Sequence, residues 1–359
     1  MNYRMTVYTV TPLHIGSGEI LLRGYDYVSG KDRTFVLDRD AVLSAEYDKT
    51  GRVPTKAPGE LIAASELREE SPFVRYAMAG TTRIEQMHEQ VKDIHGQLYI
   101  PGSSLKGALR TILFAHALET KSFTPNPNTL GEKQWWAAKE WERAAFGENP
   151  NKDLMRIVQV ADTNALKATI TRLRLLDAQV FQASNGGSPI TVEAIADKVL
   201  FETIMHLDDY LLKPAQIETL GWGSKTEWLK RIPELAQQRA RARIADEKRF
   251  AAQNGWTNAV KVYEQLETFQ PKPGQFLVQM GWGMGYSGAT IGLLVEKQQQ
   301  VKLRERYNLG RPPHAPREWR VNPDTPFPKS RRMRVGAGVN ANAVPDRPLG
   351  WVVVSLEQK

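Results

Sequence analysis

Tyr99-Ile100-Pro101-Gly102-Ser103-Ser104-Leu105-Lys106-Gly107-Ala108-Leu109-Arg110 reads as an extended run that breaks into a turn and restarts as a helix. Gln97–Ile100 is β-prone, Pro101-Gly102 interrupts it, and Leu105, Ala108, Leu109, Ile112 and Leu113 then recur at helical spacing. Ser104 stands where an N-cap residue would. The start of such a helix offers backbone N–H groups, the hydroxyls of Ser103 and Ser104 and the charges of Lys106 and Arg110, a setting that stabilises phosphate oxygens. The spacing departs from the Gly-x-x-x-x-Gly-Lys-Ser/Thr of a nucleotide-hydrolysing loop, so that chemistry is not predicted.

Upstream, Tyr3–Thr11 is rich in β-formers and ends at Pro12 and the glycine-broken loop His14-Ile15-Gly16-Ser17-Gly18. Gly24–Val28 and Thr34–Leu37 are expected to pair as strands, and Asp38 to cap a short helix through Tyr47. Residues 121–150 are rich in Pro, Asn and Trp and read as peripheral or inter-domain, which puts a domain boundary near residue 150. Beyond it, Arg156–Val160 is expected as a strand, followed by long β-like stretches at Thr169–Gln182 and Ile190–Met205 with a turn through Asn185-Gly186-Gly187. Lys213–Leu266 is mostly helical, and its Arg239, Arg241, Arg243, Lys248 and Arg249 are expected on a solvated face. Phe276–Gln279 and Trp351–Leu356 return to strand. Strands at both ends of each half, without regular βαβ alternation, predict an α+β architecture of two ferredoxin-like, RRM-like domains (1–150 and 151–359). A helical insertion spans about 213–268 and a basic loop 301–334.

The chain has no cysteine, which excludes disulfides, cysteine–zinc sites, iron–sulfur clusters and a thiolate nucleophile. No run approaches the roughly 18 consecutive apolar residues of a membrane span, and the N-terminus enters strand-like alternation directly, so a cytoplasmic location without membrane partners is expected. The net charge of +8 points to an anionic partner, and its distribution sharpens the point: Val301–Arg334 carries ten Lys/Arg against three acids. None of the six histidines forms a metal-binding pair, and no metal or cofactor is predicted.

Two further segments bear on chemistry. Gly281, Gly283, Gly285 and Gly288 interleave with Trp282, Met284 and Tyr286, so that the backbone can approach a ligand closely and aromatic faces can stack on bases. The spacing is not that of a dinucleotide fingerprint after an N-terminal βαβ unit. Arg304–Arg334 is broken by six prolines and holds Tyr307, Trp319 and Phe327, a composition suited to an irregular basic loop along an RNA strand. His14, in a glycine loop after a strand, is a candidate general base on a ribose 2′-hydroxyl, which would make the chain a metal-independent endoribonuclease. No acid partner for it is visible in the sequence.

Thr11-Pro12-Leu13-His14-Ile15-Gly16-Ser17-Gly18, Tyr25-Asp26-Tyr27-Val28 and Tyr99–Arg110 together resemble the RAMP superfamily of CRISPR proteins, with Gly281–Gly288 as a further hallmark. The basic Phe327-Pro328-Lys329-Ser330-Arg331-Arg332 is similar to the family of fifth subunits of type III-A (Csm) complexes. The resemblance implies a non-catalytic subunit that caps the 3′ end of the guide (crRNA) and contributes to complex assembly, guide maturation and antiviral defence. It also implies its partners: crRNA, target RNA, other Csm subunits, above all the neighbouring backbone RAMP subunit, and a host nuclease that trims the guide. The RNA-binding residues so implied are His14, Gly16, Ser17 and Gly18; Ser103, Ser104, Lys106 and Arg110; Gly281, Trp282, Gly283, Gly285, Tyr286 and Gly288; and Lys329, Arg331 and Arg332. Asp26 and Asp162 are conspicuous, but no motif gives either a role.

Overall fold

Asn2–Thr9 alternates along its length, burying Met5, Val7 and Thr9 and turning Arg4 and Tyr8 to the opposite face. In the computed structural model, which describes residues 1–182, 187–312, 314–316, 318–337 and 343–359, this strand lies at the centre of a five-stranded antiparallel sheet. The order is Gln275–Gln279, Trp351–Gln358, Asn2–Thr9, Leu200–Leu207 and Val158–Val160. Val7 sits opposite Phe201 on one side and Val354 on the other, so the two ends and the middle of the chain share one apolar layer. Complete burial of side chains such as Met5, Val7 and Phe201 stabilises the fold by about 1.5–3 kcal/mol each.

The helix predicted after Pro101 runs from Gly102 to Glu119 and buries Leu105, Leu109, Ile112 and Leu113 in the same core as Met5, Val7, Phe201 and Val354. Its first turn presses so closely on Val158–Val160 that a Cβ at Gly102 would run into the Val160 carbonyl. The expected strand before it, Gln97–Ile100, is reduced to bridges of Leu98 with Lys92 and Leu166.

Among the described residues the second sheet has nine strands. Its main path is Gly16–Leu22, Gln86–Gln90, Ile190–Ile195, Leu173–Gln182, Val74–Ala79, Arg33–Leu37 and Tyr27–Ser29. Ser330–Ala337 pairs with the C-terminal half of Leu173–Gln182, and Val344–Arg347 pairs with Ser330–Ala337. Tyr27–Ser29 and Arg33–Leu37 form the expected pair, and Asp38 accepts from the Ala41 amide to cap Arg39–Thr50. Residue 150, where the sequence suggests a boundary, is followed by strands that join both sheets begun by the N-terminal part.

Several expectations are corrected. Ile190–Met205 is two strands, not one: Lys198, at φ +67°, turns the chain, and the halves enter different sheets. Thr9 holds that turn, its hydroxyl donating to the Ala196 carbonyl at 2.7 Å and accepting from the Val199 amide at 2.9 Å. The segment 121–150 is only partly peripheral, since Lys139–Phe146 is a helix that buries Trp141 and Phe146 in the main core. The stretch 301–334 is not one irregular loop: it opens in the helix Lys297–Arg306 and ends in the strand Ser330–Ala337. Asn185 and Gly186 of the expected turn lie outside the described residues.

Gly107 is exposed on the helix Gly102–Glu119, and a Cβ added there would meet no neighbouring atom within 4 Å. Gly107→Ala is therefore expected to stabilise the protein by about 0.5–1 kcal/mol, whereas Gly102→Ala should destabilise it by more than that. Urea denaturation midpoints moving in opposite directions for the two variants check this.

Candidate nucleic-acid interface

Counting in chain order, the loop His14–Gly18 is the first motif, Tyr99–Arg110 the second and Gly281–Gly288 the third, and glycine brings the first and third into contact. Gly281, at φ +76°, leaves a gap that a side chain would fill, since its Cβ would lie 2.5 Å from the His14 carbonyl oxygen. Through that gap the Trp282 amide donates to the same carbonyl at 2.8 Å. The His14 ring then meets the Trp282 indole edge-on, with centroids 5.7 Å apart at 85°. Its Nδ1 lies 2.6 Å from the Glu193 carbonyl oxygen, consistent with donation from the ring, and the side of the ring bearing Nε2 faces Gly16. Only 3% of His14 is exposed, and burial lowers its pKa to about 4. It is neutral at physiological pH and walled in by both glycine loops.

Glu193 anchors this loop from beneath. Its carboxylate is fully buried and receives the Tyr76 hydroxyl at 2.7 Å, the Gln90 amide at 3.0 Å and Lys92 at 2.5 Å. Lys92 Nζ also sits 4.3 Å from the centre of the Tyr76 ring. The charge is thus paired and hydrogen-bonded, the condition under which a carboxylate is tolerated in a sheet interior. Ser17 and Gly18 point away along the exposed edge strand, where Ser17 donates to Glu89 at 2.9 Å.

The second motif is built differently from the expectation. The helix starts at Gly102 with Pro101 as its cap residue, and Ser104 makes no side-chain cap. The amides of Ser104 and Leu105 bond to the Pro101 carbonyl, and the Gly102 amide donates to Asp162 Oδ1 at 2.7 Å. Asp162 therefore occupies the position at the helix N-terminus where a phosphate was expected, and this gives it a structural role. Asp26 is also structural, accepting from the Leu22 amide at 2.7 Å and pairing with Arg39 at 3.0 Å. Ser103 is exposed, and Lys106 stands partly exposed with no carboxylate within ion-pair distance among the described residues. Arg110 is committed to Asp153 at 2.9 Å and Glu142 at 2.8 Å, over the Phe146 ring.

In the third motif, Gly283 and Gly285 have φ of +97° and +66°, and the short helix Gly285–Ala289 follows. Gly288 makes room for Arg243, whose guanidinium occupies the space a Cβ would need. Tyr286 is a packing residue, its ring 4.9 Å from Phe327 and its hydroxyl against Gly292. A cavity of about 280 Å³ separates this motif from the second, with Ser104 and Gly107 on one wall and Gly281 and Gly288 on another. All three motifs thus adjoin in one row.

The arginines sort by what they face. Arg331 and Arg332 are neighbours on one strand, so their side chains leave on opposite sides. Arg331 reaches Glu247 at 2.5 Å and stacks over Phe250 at 3.9 Å. Glu247 also receives the Ser287 hydroxyl at 2.9 Å and lies 3.9 Å from Arg243. Arg332 instead lies 4.3 Å over Trp282, and its Nε finds no partner among the described residues. Lys329 is exposed. The arginine face of Ile232–Gln253 is therefore divided. Arg241 and Arg249 are solvated as expected, while Arg239 and Arg243 are only partly exposed and pack against the third motif, Arg239 donating to the Thr290 carbonyl at 3.2 Å. Sequence reasoning missed Arg239, Arg243 and Glu247 because periodicity reports a helix face, not what later packs on it. Among the described residues no three His, Asp or Glu side chains gather into a metal-binding cluster.

The model of the RAMP superfamily matches residues 6–273. The chain belongs to the RAMP superfamily. The match ends before the third glycine motif, which the fold places against the first. No curated protein matches the sequence. Among solved structures, this RAMP protein resembles a chain of the Csm–crRNA–target RNA ternary complex of a type III-A CRISPR-Cas system. The TM-score is 0.70 at 22% identity, over 99% of this chain and 100% of that one. It also resembles Csm5 of T. onnurineus, with a TM-score of 0.66 at 20% identity, over 97% of this chain and 99% of the other. No described helix is long and apolar enough to cross a membrane.

Two outcomes follow from the geometry. Arg331→Ala removes the closest cation from buried Glu247 and should destabilise the fold by about 3 kcal/mol, while Arg332→Ala, which forfeits mainly its stacking on Trp282, should cost about 1 kcal/mol or less; calorimetric melting separates them. His14 has its pKa depressed from 6.5 to about 4, so its contribution is complete above pH 6.5 and is lost as pH falls towards 4. Wild type should lose about 2–3 kcal/mol more than His14→Gln over that interval, measured as urea unfolding free energy at each pH.

Proposed function

We propose that this chain is a non-catalytic, crRNA-binding subunit of a type III-A (Csm) interference complex, capping the 3′ end of the guide. The observation that carries the reading is agreement over nearly the full length of both chains with a chain of a Csm–crRNA–target RNA complex. The similarity to Csm5 supports the choice of subunit. We take the two-part, ferredoxin-like description of RAMP architecture as belonging to the same proposal.

The surface chemistry is consistent with a backbone-directed grip. Arg332 over Trp282, Lys106 of the second motif, and the exposed Lys302, Arg320 and Lys329 have no carboxylate within ion-pair distance among the described residues. These cations suit phosphates and carry no base-reading geometry, so binding should be largely independent of sequence. The neutral, enclosed His14 suits a role in shaping the loop better than proton transfer on a ribose hydroxyl. Its partners in this reading are crRNA, target RNA and the adjoining backbone RAMP subunit, with guide trimming left to a separate nuclease.

The expected behaviour is tight binding of single-stranded RNA at low salt and steep weakening as salt rises. Combined Lys106→Ala, Lys302→Ala and Lys329→Ala substitutions should lower the affinity and reduce the slope of log affinity against log salt by about one for each phosphate no longer neutralised. Fluorescence anisotropy across a salt series measures both, and an unchanged slope would count against the proposal. Labelled precursor RNA incubated with the protein in EDTA should stay intact.

A further inference from the structure

Trp135 is 74% exposed and Trp136 51% exposed, although both belong to a segment tightly held by its backbone. Gly131 is the hinge of that support. Its amide donates to the Ala137 carbonyl at 3.2 Å, its own carbonyl accepts from the Tyr307 hydroxyl at 2.6 Å and from Arg306 at 3.2 Å, and a Cβ on it would strike the Trp136 carbonyl. Arg306 also donates to Leu130 at 3.0 Å. The backbone around the two indoles is thus held by several hydrogen bonds, while the rings themselves stay in water. Large apolar surface displayed in this way marks a binding site.

The two rings border a cleft of about 960 Å³, at the upper end of the range for small-ligand sites. Their planes meet at 72° with centroids 6.5 Å apart, so neither ring is stacked on the other. Lys133 lies 5.3 Å from one ring centre and 5.6 Å from the other, and Lys139 lies 5.5 Å from Trp136. Among the described residues five cationic side chains line the cleft against two carboxylates; Glu142 and Asp153 both pair with Arg110, and Arg143 pairs with Glu140 at 2.6 Å, which leaves Lys106, Lys139 and Arg156 with no carboxylate within ion-pair distance. Lys106 of the second motif and Tyr286 of the third also line this cleft. The cleft is therefore continuous with the candidate interface.

We propose that this cleft seats unstacked bases of single-stranded RNA on Trp135 and Trp136, with the sugar–phosphate chain running past Lys106, Lys139 and Arg156. The inference rests on the RNA-binding reading above and extends it: the phosphate grip would be sequence-tolerant and salt-sensitive, while stacking adds a component that needs bases and resists salt. A protein segment would also fill an aromatic cleft, but an unbalanced positive lining with its carboxylates already spent favours a polyanion.

The test compares the full-length chain with a Trp135→Ala, Trp136→Ala variant, each titrated with a short labelled single-stranded RNA and with an abasic strand of the same length. Loss of stacking should weaken binding of the base-bearing strand by roughly 5- to 150-fold per base released, and leave binding of the abasic strand unchanged. Trp135→Leu with Trp136→Leu keeps apolar bulk without flat rings and should show the same loss, which guards against misfolding of the alanine variant. Equal affinity of wild type and variants for the base-bearing strand would overturn the cleft assignment alone. If wild type ignores RNA at low salt, the function proposed for the whole chain falls with it. Variants that keep RNA affinity but no longer join a companion subunit would reassign the cleft to a protein contact and overturn the proposal.

Discussion

Asn2–Thr9 is hydrogen-bonded on both edges, to Leu200–Leu207 on one side and Trp351–Gln358 on the other, and the rest of the molecule depends on that arrangement. It brings three segments far apart in sequence into a single layer. The chain leaving Thr9 is directed to Leu13, which bridges to Ile195 in the second sheet, and then to His14. The chain approaching Trp351 passes Gly350, whose amide donates to Pro12 at 2.8 Å. The first glycine loop is therefore positioned from both sides before any side chain of the site is considered.

The meeting of the loops is a problem of space as much as of hydrogen bonding. Gly281 clears the approach to the His14 carbonyl and Gly288 clears room for Arg243. Beneath them run two buried ionic clusters, Lys92 with Glu193 and Arg243 with Glu247 and Arg331, each supported by a hydroxyl from Tyr76 or Ser287. Such clusters contribute less net stability than their Coulomb attraction suggests, because two charges must leave water. Their value here is geometric: they hold the loops in register with the strands.

The same clusters show why charge in a sequence is a weak guide to charge on a surface. Val301–Arg334 carries most of the net positive charge, yet Arg331 is spent on Glu247 and Arg304 is packed over Phe327 at 4.6 Å. Among the described residues Arg332, one residue along, has no anionic partner, because a strand sends adjacent side chains to opposite faces. The strand itself was not legible, since prolines on its N-terminal side favoured an irregular reading and its partner, Leu173–Gln182, lies some 150 residues upstream. The tryptophans at 135 and 136 were missed for the converse reason: a Pro- and Asn-rich segment looks peripheral, and only hydrogen bonds from Tyr307 and Arg306 show that it is held.

The local order of residues by itself determined the superfamily motifs, the helix after Pro101, the capped helix after Asp38 and most strands, because backbone preference and side-chain periodicity act over a few neighbours. Tertiary structure alone decided which helix N-terminus was already filled by Asp162, which arginines were buried, where Ile190–Met205 broke between two sheets, and which aromatic rings stayed in water. Each of those outcomes turns on a contact between residues distant in the chain, and pairing, burial and available space are properties of such contacts rather than of any residue's neighbours in sequence.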